Sequence, residues 1–191
     1  MLLFDIDTQN DFLLPAGALY VPGAERLLPQ LERIYAAARE RGWAVIASTD
    51  AHLENDPEFA AWPAHCVRGT MGQQKVHGTL WPDRVVIPNR PQATVNAGAA
   101  QVVVEKQTLD VFSNPNLEAL LAAHPGQECG VFGVATDYCV RFAVEGLLRA
   151  GRRVVLFSDA IRGIDAAASE QVLRGAAERG ARLTTSAALS A

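Results

Sequence analysis

One phrase recurs along the 191-residue chain and constrains its fold more than any other feature. A helical run ends in glycine and passes at once into a short apolar run: ARERGWAVIAST around Gly42, LLRAGRRVVLFSD around Gly151, and AAERGARLTTS around Gly180. Glycine after a helix accepts the left-handed capping conformation without a Cβ clash. The runs that follow are β-branched and nearly continuous, as in strands covered on both faces. Alternation of this kind predicts an α/β fold with a mainly parallel sheet and right-handed crossovers. Six strands are expected, near Leu2–Asp7, Trp43–Thr49, Val102–Lys106, Cys129–Val134, Val154–Ser158 and Arg182–Thr185. Helices are expected near Pro29–Arg41, Pro115–Ala123, Tyr138–Ala150 and Ala166–Arg179. In the first, Leu28, Leu31, Ile34, Tyr35 and Ala38 keep the helical period. The stretch 50–101 is long, weakly periodic and rich in Pro, Gly, His and Trp, so it reads as an excursion with a use within one domain spanning 1–191.

Bulk properties narrow the function. A net charge of -4 and scattered basic residues argue against a nucleic-acid surface. No apolar stretch approaches the ~20 residues that cross a bilayer. The opening MLLFDIDTQNDF carries charge inside its first apolar run, so it is expected to be a strand and not a secretory signal. Three cysteines without a CxxC pair suit a reducing, cytoplasmic compartment.

Open α/β sheets bind ligands at the carboxyl ends of their strands. Four strands deliver titratable groups there: Asp7, Asp50 with His52, Lys106, and Cys139 just past the fourth strand. Cys139 opens a strong helix, where the helix field favours a thiolate. An arbitrary cysteine is more often buried and inert, and the turn before Cys139 and its two candidate partners argue otherwise here. Cys129 and Cys66 lack such a setting and read as packing. Asp7, among apolar residues, could take a proton from a thiol and return it to an amine, or could merely cap a turn. Lys106 could be solvated, or could face the crevice and steady the carboxylate. Asp5 and Asp11 read as structural. Asp50 and His52 alternate to the same side of a strand, and His65 and Glu58 lie in the loop beyond. Imidazole with carboxylate suits a divalent ion, zinc, iron or manganese. Asp56 and His77 are weaker ligand candidates.

The same residues carry a family likeness. DTQNDF at Asp7–Phe12, Asp50–His52 with WPAHCVRGTMG, EKQTLDVFSN from Glu105, and GVATDYCV ending at Val140 occur in order across most of the chain. The sequence resembles the isochorismatase-like cysteine hydrolases, and among them the nicotinamidases. The resemblance implies a three-layer, doubly wound fold. It implies a triad of Asp7, Lys106 and Cys139, and a cis peptide between Val134 and Ala135. Ala135 and Cys139 would supply the oxyanion hole. A metal, zinc first, would be held by Asp50, His52 and His65, with Glu58 where nicotinamidases often have a further His. Phe12 and Trp62 would flank a flat ring, with Phe112 in the pocket wall where nicotinamidases often place Tyr. The expected substrate is a small amide, nicotinamide first, with another amide, ureido or carbamoyl compound as the alternative. A catalytically silent binding subunit is a further reading, disfavoured because all three triad positions are filled. Relatives commonly self-associate, so a homo-oligomer is expected from resemblance.

Overall fold

Residues Leu2–Ile6 form β1, and every one of them is buried. A strand with no solvent side must lie inside a sheet covered on both faces. The structure, a computed structural model, describes residues 1–92 and 94–190. In it β1 is flanked by β2 (Ala44–Asp50) and β5 (Cys129–Val134). The remaining strands are β3 (Val85–Ile87), β4 (Gln101–Lys106), β6 (Val154–Arg162) and β7 (Arg182–Thr184). Their order is β3-β4-β2-β1-β5-β6-β7, and every pairing is parallel.

Alternation along β1 splits the core in two. Leu2, Phe4 and Ile6 pack on one face with α3 (Leu117–Ala122), α4 (Arg141–Arg149) and Ala176 of α5 (Ala166–Glu178). Leu3 packs on the other face with Leu31, Ile34 and Ala38 of α2 (Leu28–Arg41). A short helix, α1 (Asn10–Leu13), follows β1 directly. The three phrase-ending glycines all have positive φ: 62° at Gly42, 71° at Gly151 and 94° at Gly180. Gly42 closes α2 by donating its N–H to Ala38 and Arg39 carbonyls, as the sequence pattern requires.

Two expectations are corrected. The sheet has seven strands and not six, because β3 pairs with β4 at one edge. β3 has only three residues and lies in the weakly periodic stretch, where alternation gives no signal. The helix expected from Tyr138 begins as α-helix only at Arg141, because Thr136–Val140 forms a wider turn kinked at Tyr138 (φ −125°, ψ −105°). No described helix is long and apolar enough to cross a membrane.

The chain leaves β1 to one side through β2, β3 and β4, then crosses to β5, β6 and β7 on the other. The crevice of such a sheet lies outside the carboxyl ends of β1 and β5, where the order reverses. The excursion folds back over that rim: Gln9 bridges to Lys75, and His52 to Val67.

Candidate active site

Asp7 is the first residue beyond β1, and its φ of 48° lies in the left-handed region that costs a non-glycine residue energy. Ser48 on the neighbouring β2 holds it there. The Asp7 N–H donates to Ser48 Oγ at 3.2 Å, and Ser48 Oγ donates to Asp7 Oδ1 at 2.6 Å. Lys106, the last residue of β4, brings its ammonium 2.8 Å from Asp7 Oδ2. The same Nζ donates to Asp50 Oδ1 and lies 3.7 Å from Cys139 Sγ. Asp7 and Lys106 are fully enclosed, and Cys139 is 6% exposed. Three residues far apart in sequence therefore meet at one point of the rim.

Enclosure sets their proton affinities. Burial raises the Asp7 carboxyl above the usual carboxylate range, and Lys106 only partly opposes it. Burial works against the Lys106 charge, but Asp50 and Asp7 outweigh it and lift the ammonium well above its ordinary range. Burial drives the Cys139 thiol well up, against the pull of Lys106 and with the push of Asp7 and Asp50. Burial and the two carboxylates thus oppose the pull toward thiolate expected of a helix start.

Asp50, His52 and His65 form a second cluster beside the first. Each offers one ligand atom, and these atoms lie within 4.8 Å of one another. Asp50 Oδ2 is 3.8 Å from Nε2 of each histidine. Of the other ring nitrogens, His65 Nδ1 lies 2.7 Å from the Pro63 carbonyl, and His52 Nδ1 lies 3.0 Å from Asp56 Oδ2 without making a hydrogen bond. Contacts behind the rings of this kind orient histidines around a metal. Neither ring nitrogen of the buried His52 has a hydrogen-bond partner. A partnerless imidazole nitrogen facing a carboxylate and a second imidazole fits a divalent cation. Burial and the charge of Asp50 push the Glu58 carboxyl up. Glu58 lines the adjoining cavity but stands outside this three-residue cluster. Asp56 supports His52 from behind, and His77 is exposed outside the cluster.

The cavity over Cys139 has a volume of about 30 Å³. Phe12 and Trp62 line it, as do Ala135 and Cys139. The Trp62 ring meets Tyr138 edge-on at 5.3 Å, and Phe12 is tilted on His65 at 5.4 Å. The Val134–Ala135 peptide is cis. Phe112 is the exception among the expected wall residues. Its ring is packed against Gly146 of α4, where an added Cβ would lie 2.3 Å from Phe112 Cε2. Leu109 takes the wall on that side. The sequence reading also missed Ser48, Gln9 and Ile164. Ser48 was findable, since it precedes Asp50 by two residues and alternation puts both on one face. Gln9, inside DTQNDF, clamps Asp50: its Nε2 donates to the Asp50 carbonyl at 2.9 Å, and the Asp50 N–H donates to its Oε1 at 2.7 Å. A larger groove of about 720 Å³ opens at the amino ends of the strands, beside Met1, Trp43 and Trp81. Its lining carries no cysteine, serine, threonine or lysine, so the small enclosed cavity is the better chemical candidate.

Sheet and rim define an α/β protein with an enclosed carboxylate–ammonium–thiol cluster and a metal-type donor set at its switch point. The Isochorismatase domain model matches residues 1–188, and the chain belongs to the isochorismatase family. It is 31% identical over 184 residues to the nicotinamidase of Escherichia coli (strain K12), covering 84% of this chain and 82% of that protein. It is 31% identical over 170 residues to the streptothricin hydrolase of Streptomyces noursei, covering 89% of this chain and 52% of that one. The crystal structure of the pyrazinamidase of Pyrococcus horikoshii in complex with zinc superimposes with a TM-score of 0.82 at 28% identity, covering 96% of this chain and 98% of that one.

Proposed function

We propose that the chain is a hydrolase of small-amide C–N bonds, and that nicotinamide, cleaved to nicotinate and ammonia, is its first substrate. The observation that carries this reading is Lys106 Nζ lying 2.8 Å from Asp7 Oδ2 and 3.7 Å from Cys139 Sγ. Asp7 takes the Cys139 proton, and the sulfur attacks the amide carbonyl. The N–H groups of Ala135 and Cys139 receive the oxyanion; loss of one such donor costs on the order of 3 kcal/mol in the barrier. Asp7 then gives its proton to the departing nitrogen, which leaves as ammonia from a thioester. Ionised again, Asp7 takes a proton from water as the oxygen attacks the thioester, and returns it to the sulfur as the acid departs. Lys106 keeps a counter-charge beside whichever of the two is negative. Phe12 and Trp62 flank the ring. Asp50, His52 and His65 would hold a divalent ion, zinc first and iron or manganese as alternatives, with Glu58 beside them in the cavity wall. When bound, that ion supplies a Lewis-acid anchor for a ring nitrogen or water.

A second reading, another small amide, ureido or carbamoyl compound, draws on Leu109 in place of an aromatic wall residue. The test is ammonia release from nicotinamide and a panel of small amides, by wild type and Cys139→Ala. Release from nicotinamide should drop by on the order of 10⁴-fold or more in the variant, the scale on which a covalent nucleophile is missed. Release only from other amides would reject nicotinamide and keep the mechanism. Equal release by wild type and variant would reject the mechanism.

A further inference from the structure

Ile164 connects two features that the mechanism leaves unused. Five large apolar side chains stay exposed among the described residues: Leu53, Met71, Val86, Ile164 and Leu183. Of these, Ile164, at 44% exposure, alone lines the cavity over Cys139. Its backbone is not free to move with it. The Ile164 N–H donates to Asp137 Oδ1 at 3.1 Å, and the Asp165 N–H donates to Asp137 Oδ2 at 2.8 Å. Asp137 is only 6% exposed and stands two residues before Cys139. A buried carboxylate needs partners, and this one finds both in the Ile164 loop.

The loop is pinned on either side as well. Arg162 Nε donates to the Pro22 carbonyl at 2.9 Å, and Asp165 Oδ1 accepts the Ala168 N–H at 2.6 Å to cap α5. At Gly163 an added Cβ would lie 1.9 Å from Ser169 Oγ and 2.9 Å from Asp137 Oδ1, so the backbone is pressed against its anchor. The loop and the sulfur thus share one mount, and Ile164 is the most exposed side chain lining the cavity.

The cavity volume gives that adjustment a purpose. About 30 Å³ holds water but not an aromatic ring. The other walls are buried or half-buried. The half-exposed Ile164 can yield by changing rotamer and still keep a methyl against the ring, at small cost.

We infer that Ile164 is a specificity-determining residue that limits the width of the acyl group lying over Cys139, and that Asp137 is the positioning residue that keeps it there. The substrate class this selects is a flat, single-ring carboxamide without a bulky substituent. The inference rests on the amide-hydrolase reading above.

The experiment compares kcat/KM for nicotinamide and for its benzo-fused analogue, quinoline-3-carboxamide, across wild type, Ile164→Val, Ile164→Ala and Asp137→Ala. Ile164→Ala should lower kcat/KM for nicotinamide by about tenfold, mainly through KM, the scale of a lost apolar contact. The same change should raise the quinoline-to-nicotinamide ratio by about tenfold or more, with Ile164→Val between. Asp137→Ala should move the ratio in the same direction, which a general loss of folded protein would not do. Should Asp137→Ala fail to fold, the ratio for the Ile164 variants decides. A Cys139-dependent amidase whose ratio stays within about twofold in Ile164→Ala overturns this inference and leaves the proposed function standing. No hydrolysis of any amide by wild type overturns both.

Discussion

Ser48 decides how Asp7 meets its neighbours. Its hydroxyl occupies Asp7 Oδ1 and leaves Oδ2 to Lys106. Around Asp7 stand Lys106, Asp50, Cys139 and Ser48, and burial keeps its carboxyl above the usual range. The Ser48 hydrogen bond pulls the other way, toward the ionised form. If ionised Asp7 is the base, kcat/KM falls as pH drops through its pKa. Ser48→Ala should therefore shift the acid limb of the pH–rate profile to higher pH, and Ser48→Thr, which keeps a hydroxyl, should shift it less. An unmoved limb with reduced activity would mean that Ser48 only supports the fold. Much of this cluster was legible in the chain, because Asp7, Asp50 and Lys106 each end an apolar run and strand ends mark the rim. The enclosure of the sulfur was not legible. Position at a helix start can be read from sequence, whereas the degree of enclosure depends on residues distant in the chain.

At the scale of elements, Phe112 illustrates what spacing cannot show. Placed soon after Lys106, it suggested a pocket wall, but its ring fills the notch left by Gly146 on α4. An aromatic ring goes where a glycine makes room, and that depends on a helix some thirty residues later. Gly146→Ala would set a Cβ 2.3 Å from Phe112 Cε2 and 2.4 Å from Cδ2, so ring or helix must shift. Overpacking of this sort costs about 1–3 kcal/mol. Urea unfolding of the variant should give an unfolding free energy lower by that amount, and a value equal to wild type would mean that the ring has an alternative berth. The repeated helix–glycine–strand phrase was sufficient to place α2, β2, α4, β6, α5 and β7. β3 escaped because three residues in irregular chain carry no period.

For the whole molecule, the metal-type cluster joins distant parts of the chain. Asp50 ends β2, while His65 lies deep in the excursion and reaches the sheet only by folding back. An ion that binds this arrangement and not the unfolded chain stabilises it, by about 2.7 kcal/mol at one hundred times Kd. For a chain of this size that corresponds to a Tm increase of roughly 5–11 °C. Zinc added to chelator-treated protein should produce such a rise by calorimetry, and His65→Ala should lose most of it. Identical melts with and without zinc would count against a metal at these residues.

Lys106 touches an oxygen of Asp7 and faces the sulfur of Cys139 from a single nitrogen. When a proton passes from sulfur to oxygen, the negative charge merely changes seats around one fixed cation. The sum of charges in the buried cluster stays constant throughout the transfer. Bulk water therefore has little to rearrange, and the low polarity that forbids an isolated thiolate there tolerates this exchange.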